Sequence, residues 1–318
     1  MAENSKIEWC NHTLNPWVGC TKISPACDNC YAEGWAKRSG MVKWGQGQER
    51  RRTSESNWKQ PIKWNKQSKI AFDAWDVFKK TNPGLTDYQL IQQGFIEPKK
   101  PRVFCASLAD VFDNEVPNEW RSDLWALIKA TPYLDWLIVT KRIGNALTML
   151  PCDFNPENYP NVWIGATVCD QEEADRDIPK LLAINAAIRF LSIEPMLGKI
   201  DLRNGFCAGC NEDEMDGTCD CDGHIYGIDW VIVGGESGTN ARPMFEDWVI
   251  SIRDQCQSSG ARFFFKQWGE WCPENQGDFT GRFCGKIGGP TMYRVGKKTA
   301  GRMLDGITWD QYPTQSKF

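Results

Sequence analysis

Three cysteines near the N-terminus, Cys20, Cys27 and Cys30, have the types and spacing best suited to chemistry in this chain. They fall in the segment Asn15-Pro-Trp-Val-Gly-Cys20-Thr-Lys-Ile-Ser-Pro-Ala-Cys27-Asp-Asn-Cys30-Tyr-Ala. Three thiolates on a short loop can hold a [4Fe-4S] cluster while leaving one iron without a protein ligand, open to a substrate or cofactor. The same thiolates with His12 would complete a tetrahedral zinc site, and three unconnected buried thiols are the plainest alternative.

A second set, Cys207, Cys210, Cys219 and Cys221, offers four thiols in a short acidic span at about 203–226. Such a loop cannot build a core of its own, so a bound metal would supply its stabilisation. Zinc is the first expectation and an auxiliary iron-sulfur cluster the second. A surface knuckle without redox chemistry is the simpler role for it.

The first cluster needs a framework, and the hydropathy pattern supplies one. Short apolar runs recur at 102–107, 136–140, 161–166, 188–193, 230–233 and 262–265, with a further strand expected near 14–18. Segments with helical spacing lie between them at 118–130, 171–184 and 245–258. Strands apolar on both faces and separated by helices predict a parallel sheet. Six or seven of them predict an α/β fold, a partial or complete (β/α) barrel in one domain over 1–318, with a doubly wound sheet as the alternative. In a barrel, polar residues just after the strands collect at one rim. Here they are Asp110, Asp113, Lys141, Arg142, Thr167, Glu194, Glu236, Ser237, Lys266 and Gln267.

The 318-residue chain has a formal charge of -4 and fourteen cysteines. No apolar run approaches the ~20 residues that span a bilayer, and the first residues lack the apolar core of an export signal. A cytoplasmic protein is therefore expected, with thiols serving metal binding or burial rather than disulfides. Cys105, Cys169 and Cys256 are most simply small core residues. Between Lys37 and Lys69, ten basic residues face two acidic ones, so this stretch carries +8 and the remainder -12. With Trp44, Trp58 and Trp64 interleaved, it could neutralise phosphates and stack on bases, or form a solvated connector whose tryptophans cap the barrel. The acidic remainder argues against nonspecific coating of DNA.

The cysteine segment resembles the radical S-adenosylmethionine superfamily, and its flanks resemble the branch that contains spore photoproduct lyase. Ser107-Leu-Ala-Asp110 and Thr140-Lys141 are similar to strand endings of that branch. Six residues between Cys20 and Cys27, rather than the commoner three, mark a longer loop. Almost the whole chain is also similar to a phage and bacterial family of unknown function. The shared motifs are Ile7-Glu-Trp9, Phe104-Cys-Ala-Ser-Leu-Ala-Asp-Val-Phe-Asp113, Gly234-Gly-Glu-Ser-Gly238 and Phe264-Phe-Lys-Gln-Trp-Gly269.

The resemblance implies a [4Fe-4S] cluster, S-adenosylmethionine chelated by its open iron, and a 5′-deoxyadenosyl radical that takes hydrogen from an unreactive carbon. It places Ser107, Asp110, Thr140, Lys141 and Thr167 near the cofactor, and Gly234 and Gly235 where backbone approaches adenine or ribose. Cys105, Cys169, Lys141, Glu194, Glu236 and Lys266 are candidates for radical quenching or proton transfer. The expected reaction is modification or rearrangement of a nucleic-acid base or a group attached to it, as in phage thymine hypermodification, with an external electron donor. Photoproduct cleavage is the nearest alternative. A non-catalytic metalloprotein that binds nucleic acid is the alternative from another class.

Overall fold

The computed structural model describes residues 3–92, 94–203, 225–274 and 291–314. Cys207, Cys210, Cys219 and Cys221 lie outside these residues. Seven strands form one parallel sheet: β1 (His12–Leu14), β4 (Arg102–Cys105), β5 (Asp135–Thr140), β6 (Val162–Thr167), β7 (Ile188–Ile193), β8 (Trp230–Gly234) and β9 (Arg262–Gln267). They pair in this order, which is also chain order, as expected when each strand is added beside the last by a crossover of one hand. Helices α5 (Asn118–Lys129), α6 (Ile143–Met149), α7 (Gln171–Leu182) and α8 (Glu246–Ser259) lie between successive strands.

Strands β6 and β8 are buried at every position, which explains why their sequences are apolar on both faces. One face packs Val103, Ile138, Ile164, Leu191 and Val231 into the larger core, together with helical side chains such as Leu124 and Ile178. The other gathers Leu137, Trp163, Phe190, Trp230 and Phe264 around Trp9. Gly165 has no side chain because Phe190 occupies its place; a Cβ there would lie 2.5 Å from the ring.

β1 and β9 each have one neighbour in the sheet, so the sheet is a half-barrel and not the complete barrel that the pattern also allowed. The two chain ends meet across its open side. The Tyr312 hydroxyl donates to the Glu8 carbonyl at 3.1 Å, and Trp230 Nε1 donates to the Gln311 carbonyl at 2.9 Å. Arg102 sits 3.6 Å over the Tyr312 ring.

The basic stretch is built into this frame. It contains the end of α1 (Tyr31–Ser39), β3 (Arg51–Arg52), α2 (Glu55–Trp58) and the first half of α3 (Gln60–Thr81). β3 pairs with the short strand β2 (Trp17–Val18). Among the described residues, no helix is long and apolar enough to cross a membrane.

Candidate metal centre and its cavity

The cysteine loop leaves β2 through Gly19, whose φ of +107° suits glycine. A Cβ there would lie 3.0 Å from Val42 and 3.1 Å from Arg50. Ser24 then caps a single 3-10 turn by accepting from the Ala26 amide, and Cys30 stands at the N-cap of α1. This geometry presents Cys20, Cys27 and Cys30 to one cavity of about 380 Å³ at the C-terminal ends of the parallel strands. Trp9, Trp44 and Phe104 give it aromatic walls.

The polar residues in the walls are largely those expected at a rim: Ser107, Asp110, Lys141, Arg142, Thr167, Glu194, Glu236, Ser237, Lys266 and Gln267. The structure assigns several of them internal work. Asp110 accepts from Thr140 Oγ1 at 2.7 Å, and from the amides of Phe112 and Lys141 at 2.9 and 3.1 Å. Thr140 is buried and spent on this contact and on the Arg142 amide. Ser107 is fixed by Asn15, whose amide donates to its hydroxyl at 3.1 Å, and its carbonyl accepts from Tyr31 at 2.5 Å.

Glu236 is a clamp. Its carboxylate accepts from Arg242 Nη2 at 2.7 Å and from Asn29 Nδ2 at 3.0 Å. Arg242 in turn reaches Asp28 at 3.0 Å and the Pro25 carbonyl at 2.9 Å. The loop after β8 therefore grips the cysteine loop. Burial alone would raise the Glu236 carboxyl, but the bonds from Arg242 and Asn29, together with the Arg242 charge, outweigh it and hold it below the usual carboxylate range.

Lys266 and Glu194 form an ion pair at 2.6 Å inside the cavity. Lys141 and Lys297 also line it, and neither ammonium has a carboxylate partner among the described residues. Gln267 Oε1 is buried without a hydrogen-bond partner. Its amide nitrogen reaches Ser237 at 3.4 Å.

Two candidates for radical quenching are elsewhere. Cys105 is fully buried in the larger core, on the face turned away from the aromatic cluster. Cys169 is buried beside Asp170 and Glu173, where burial first, and then both carboxylates, push its thiol upward. Neither lines the cavity, so the structure does not bring them together with the cysteine loop. The paired glycines also have an internal reason. A Cβ on Gly235 would lie 1.9 Å from the Trp268 carbonyl oxygen, and one on Gly234 3.3 Å from the Glu194 carboxylate. Gly235 admits the backbone of the segment after β9 and Gly234 the Glu194 side chain, although Gly235 does line the cavity.

His12 is committed away from the thiols: it stacks on Trp64 at 4.3 Å and its Nδ1 accepts from the Asn4 amide at 3.3 Å. Among the described residues, the sulfurs of Cys20, Cys27 and Cys30 are not all within 4.8 Å of one another. A single tetrahedral zinc with bonds of about 2.3 Å needs sulfurs about 3.8 Å apart. Three spaced thiols, with no other cysteine and no histidine lining the cavity among the described residues, are a donor set that could hold a cluster with an open corner. Burial first, then Asp110, pushes the free Cys20 thiol up to about 12, with Arg142 pulling the other way.

Fold and site together define a parallel β/α half-barrel protein with a three-thiol loop over its strand ends. The chain belongs to the family described as protein of unknown function (DUF5131), which matches residues 4–313. No curated protein and no solved structure matches it.

Proposed function

We propose that the chain is a radical S-adenosylmethionine enzyme acting on a nucleic-acid base or on a group attached to one. The observation that carries this reading is the opening of Cys20, Cys27 and Cys30 on a single cavity at the strand ends, with no other cysteine and no histidine in its walls among the described residues. A [4Fe-4S] cluster held there, with S-adenosylmethionine on its open iron, would supply a 5′-deoxyadenosyl radical.

The protein's own residues have distinct parts in that reading. Glu236 and Arg242 hold the cysteine loop against β8, and Asp110 fixes the turn that presents Lys141. Trp9, Trp44 and Phe104 exclude water from the reacting carbon and offer faces on which a planar base can stack. Lys266 Nζ and Glu194 can hold or pass a proton, and the free Oε1 of Gln267 can accept an N–H from the ligand. A base taken from a duplex would be flipped into this cavity.

The alternative of a non-catalytic nucleic-acid binder has less support. Of the ten cations between Lys37 and Lys69, six pair with carboxylates: Lys37, Arg50, Arg52, Lys59, Lys63 and Lys69. Trp64 is buried, and Trp58 lies under Arg52 at 4.1 Å. Trp44 alone of the three lines the cavity.

Anaerobic reconstitution with iron and sulfide tests the chemistry. Reductant-dependent release of 5′-deoxyadenosine is expected, and its loss in Cys20→Ala, Cys27→Ala and Cys30→Ala. A wild-type protein in which Cys20, Cys27 and Cys30 hold zinc, or no metal at all, would refute the reading. Incubation with modified and unmodified DNA, followed by nucleoside mass spectrometry, tests the substrate; an unchanged nucleoside profile throughout would remove nucleic acid from the proposal.

A further inference from the structure

Beneath Cys20 lies a buried row of alternating charges, Arg50, Asp113, Arg142 and Asp110. Its carboxylates are largely spoken for. Asp113 is bound to Arg50 Nε at 2.8 Å, and Asp110 accepts from Thr140, Phe112 and Lys141. Arg142 stands 3.8 Å from Asp113 and 4.0 Å from Asp110, too far for a hydrogen bond to either. Its side-chain hydrogen bonds go instead to the cysteine loop: Nη2 donates to the Thr21 carbonyl at 3.0 Å, and Nη1 donates to Cys20 Sγ at 3.7 Å. The guanidinium side chain is 8% exposed, so solvent screens it little.

We infer that Arg142 is a positioning residue that tunes the metal centre through the Cys20 sulfur, an inference that rests on the ligand assignment proposed above. A cation and an N–H donor on a ligand thiolate draw charge from the sulfur. The reduced cluster carries one more negative charge than the oxidised one, so Arg142 stabilises the reduced form and raises the reduction potential. The two carboxylates, which also act on the Cys20 sulfur, do not take the guanidinium's hydrogen bonds away from the loop.

The test is a redox titration, followed by electron paramagnetic resonance, of the reconstituted full chain and of Arg142→Gln and Arg142→Lys. At a fixed potential the reduced-to-oxidised ratio should fall about tenfold in Arg142→Gln, equivalent to about 59 mV for a one-electron couple. Arg142→Lys, which keeps the charge, should fall less. Variants that load a full cluster with an unshifted ratio would overturn the inference. Variants that keep native circular dichroism but fail to load would assign Arg142 to holding the loop alone, and would also overturn it. A wild-type chain that holds no cluster would instead sink the ligand assignment, and this inference with it.

Discussion

Lys266 and Glu194 meet at 2.6 Å in a cavity that leaves their side chains 13% and 21% exposed. Removing one partner strands a charge in a poorly solvated place, whereas removing both does not. Lys266→Met should therefore cost roughly 1 to 3 kcal/mol, less than for a fully buried pair. The double change Lys266→Met with Glu194→Gln should recover part of that loss, measured by denaturant melts. If the pair also passes a proton, each single change should lower turnover about a hundredfold or more. Glu236 gives a prediction of opposite type, in which pH is the variable. Its folded carboxyl is held below the unfolded value, so its clamp contributes stability above the unfolded pKa and loses it as pH falls through the folded one. Glu236→Gln should cost roughly 2 kcal/mol at neutral pH. The gap between wild type and variant should close as the solution is taken below the usual carboxylate range. A gap that stays constant on acidification would mean that Glu236 acts by shape and not by charge.

The strands β8 and β9 shift register between Val233 and Gly234, and there the chain needs Gly235. A methyl group 1.9 Å from the Trp268 carbonyl oxygen forces backbone apart, so Gly235→Ala should cost at least the 1 to 3 kcal/mol typical of overpacking. It should also loosen the Glu236 clamp and reduce iron loading; a thermal melt and an iron assay read the two effects separately. The strands themselves were legible in the sequence, since runs such as 188–193 and 230–233 carry their burial in composition alone. The helix α3 was not. Its buried residues are Pro61, Trp64 and Ser68, and its surface is dominated by Lys, Asp and exposed Ile and Val. Charge hid the helical period, and Lys63 and Lys69 find carboxylates at Glu3 and Asp73 that a local charge count treats as absent or distant. The same limit applied at the site: Cys20, Cys27 and Cys30 declare themselves by spacing, while Arg242 and Lys297 reach it from loops and a short helix without any motif.

The half-barrel as a whole depends on how its open side is closed. A parallel sheet with two unpaired edges would expose the aromatic cluster around Trp230, and the chain covers it with its own two ends. Trp9 enters from one side, 6.3 Å from the Trp230 ring, and Tyr312 from the other, at 5.4 Å. Residues beyond β9 run antiparallel to it, with the Phe265 amide donating to the Trp309 carbonyl at 3.0 Å and the Gln311 amide to the Phe263 carbonyl at 3.2 Å. Among the described residues, Tyr312 is the last with such contacts, stacked under Arg102 and bonded to Glu8. Since Trp9 also lines the cavity, the seam links the remote C-terminal segment to the site. Tyr312→Ala should cost on the order of 2 kcal/mol through lost aromatic and cation contacts. Tyr312→Phe should cost about 1 kcal/mol, the value of one hydrogen bond. Hydrogen exchange should show the loss concentrated at 7–10 and 309–312, with the central strands β5 to β7 unchanged. Uniform loss of protection across all seven strands would instead mean that the seam and the sheet unfold as a single unit, and that the half-barrel cannot stand without its closure.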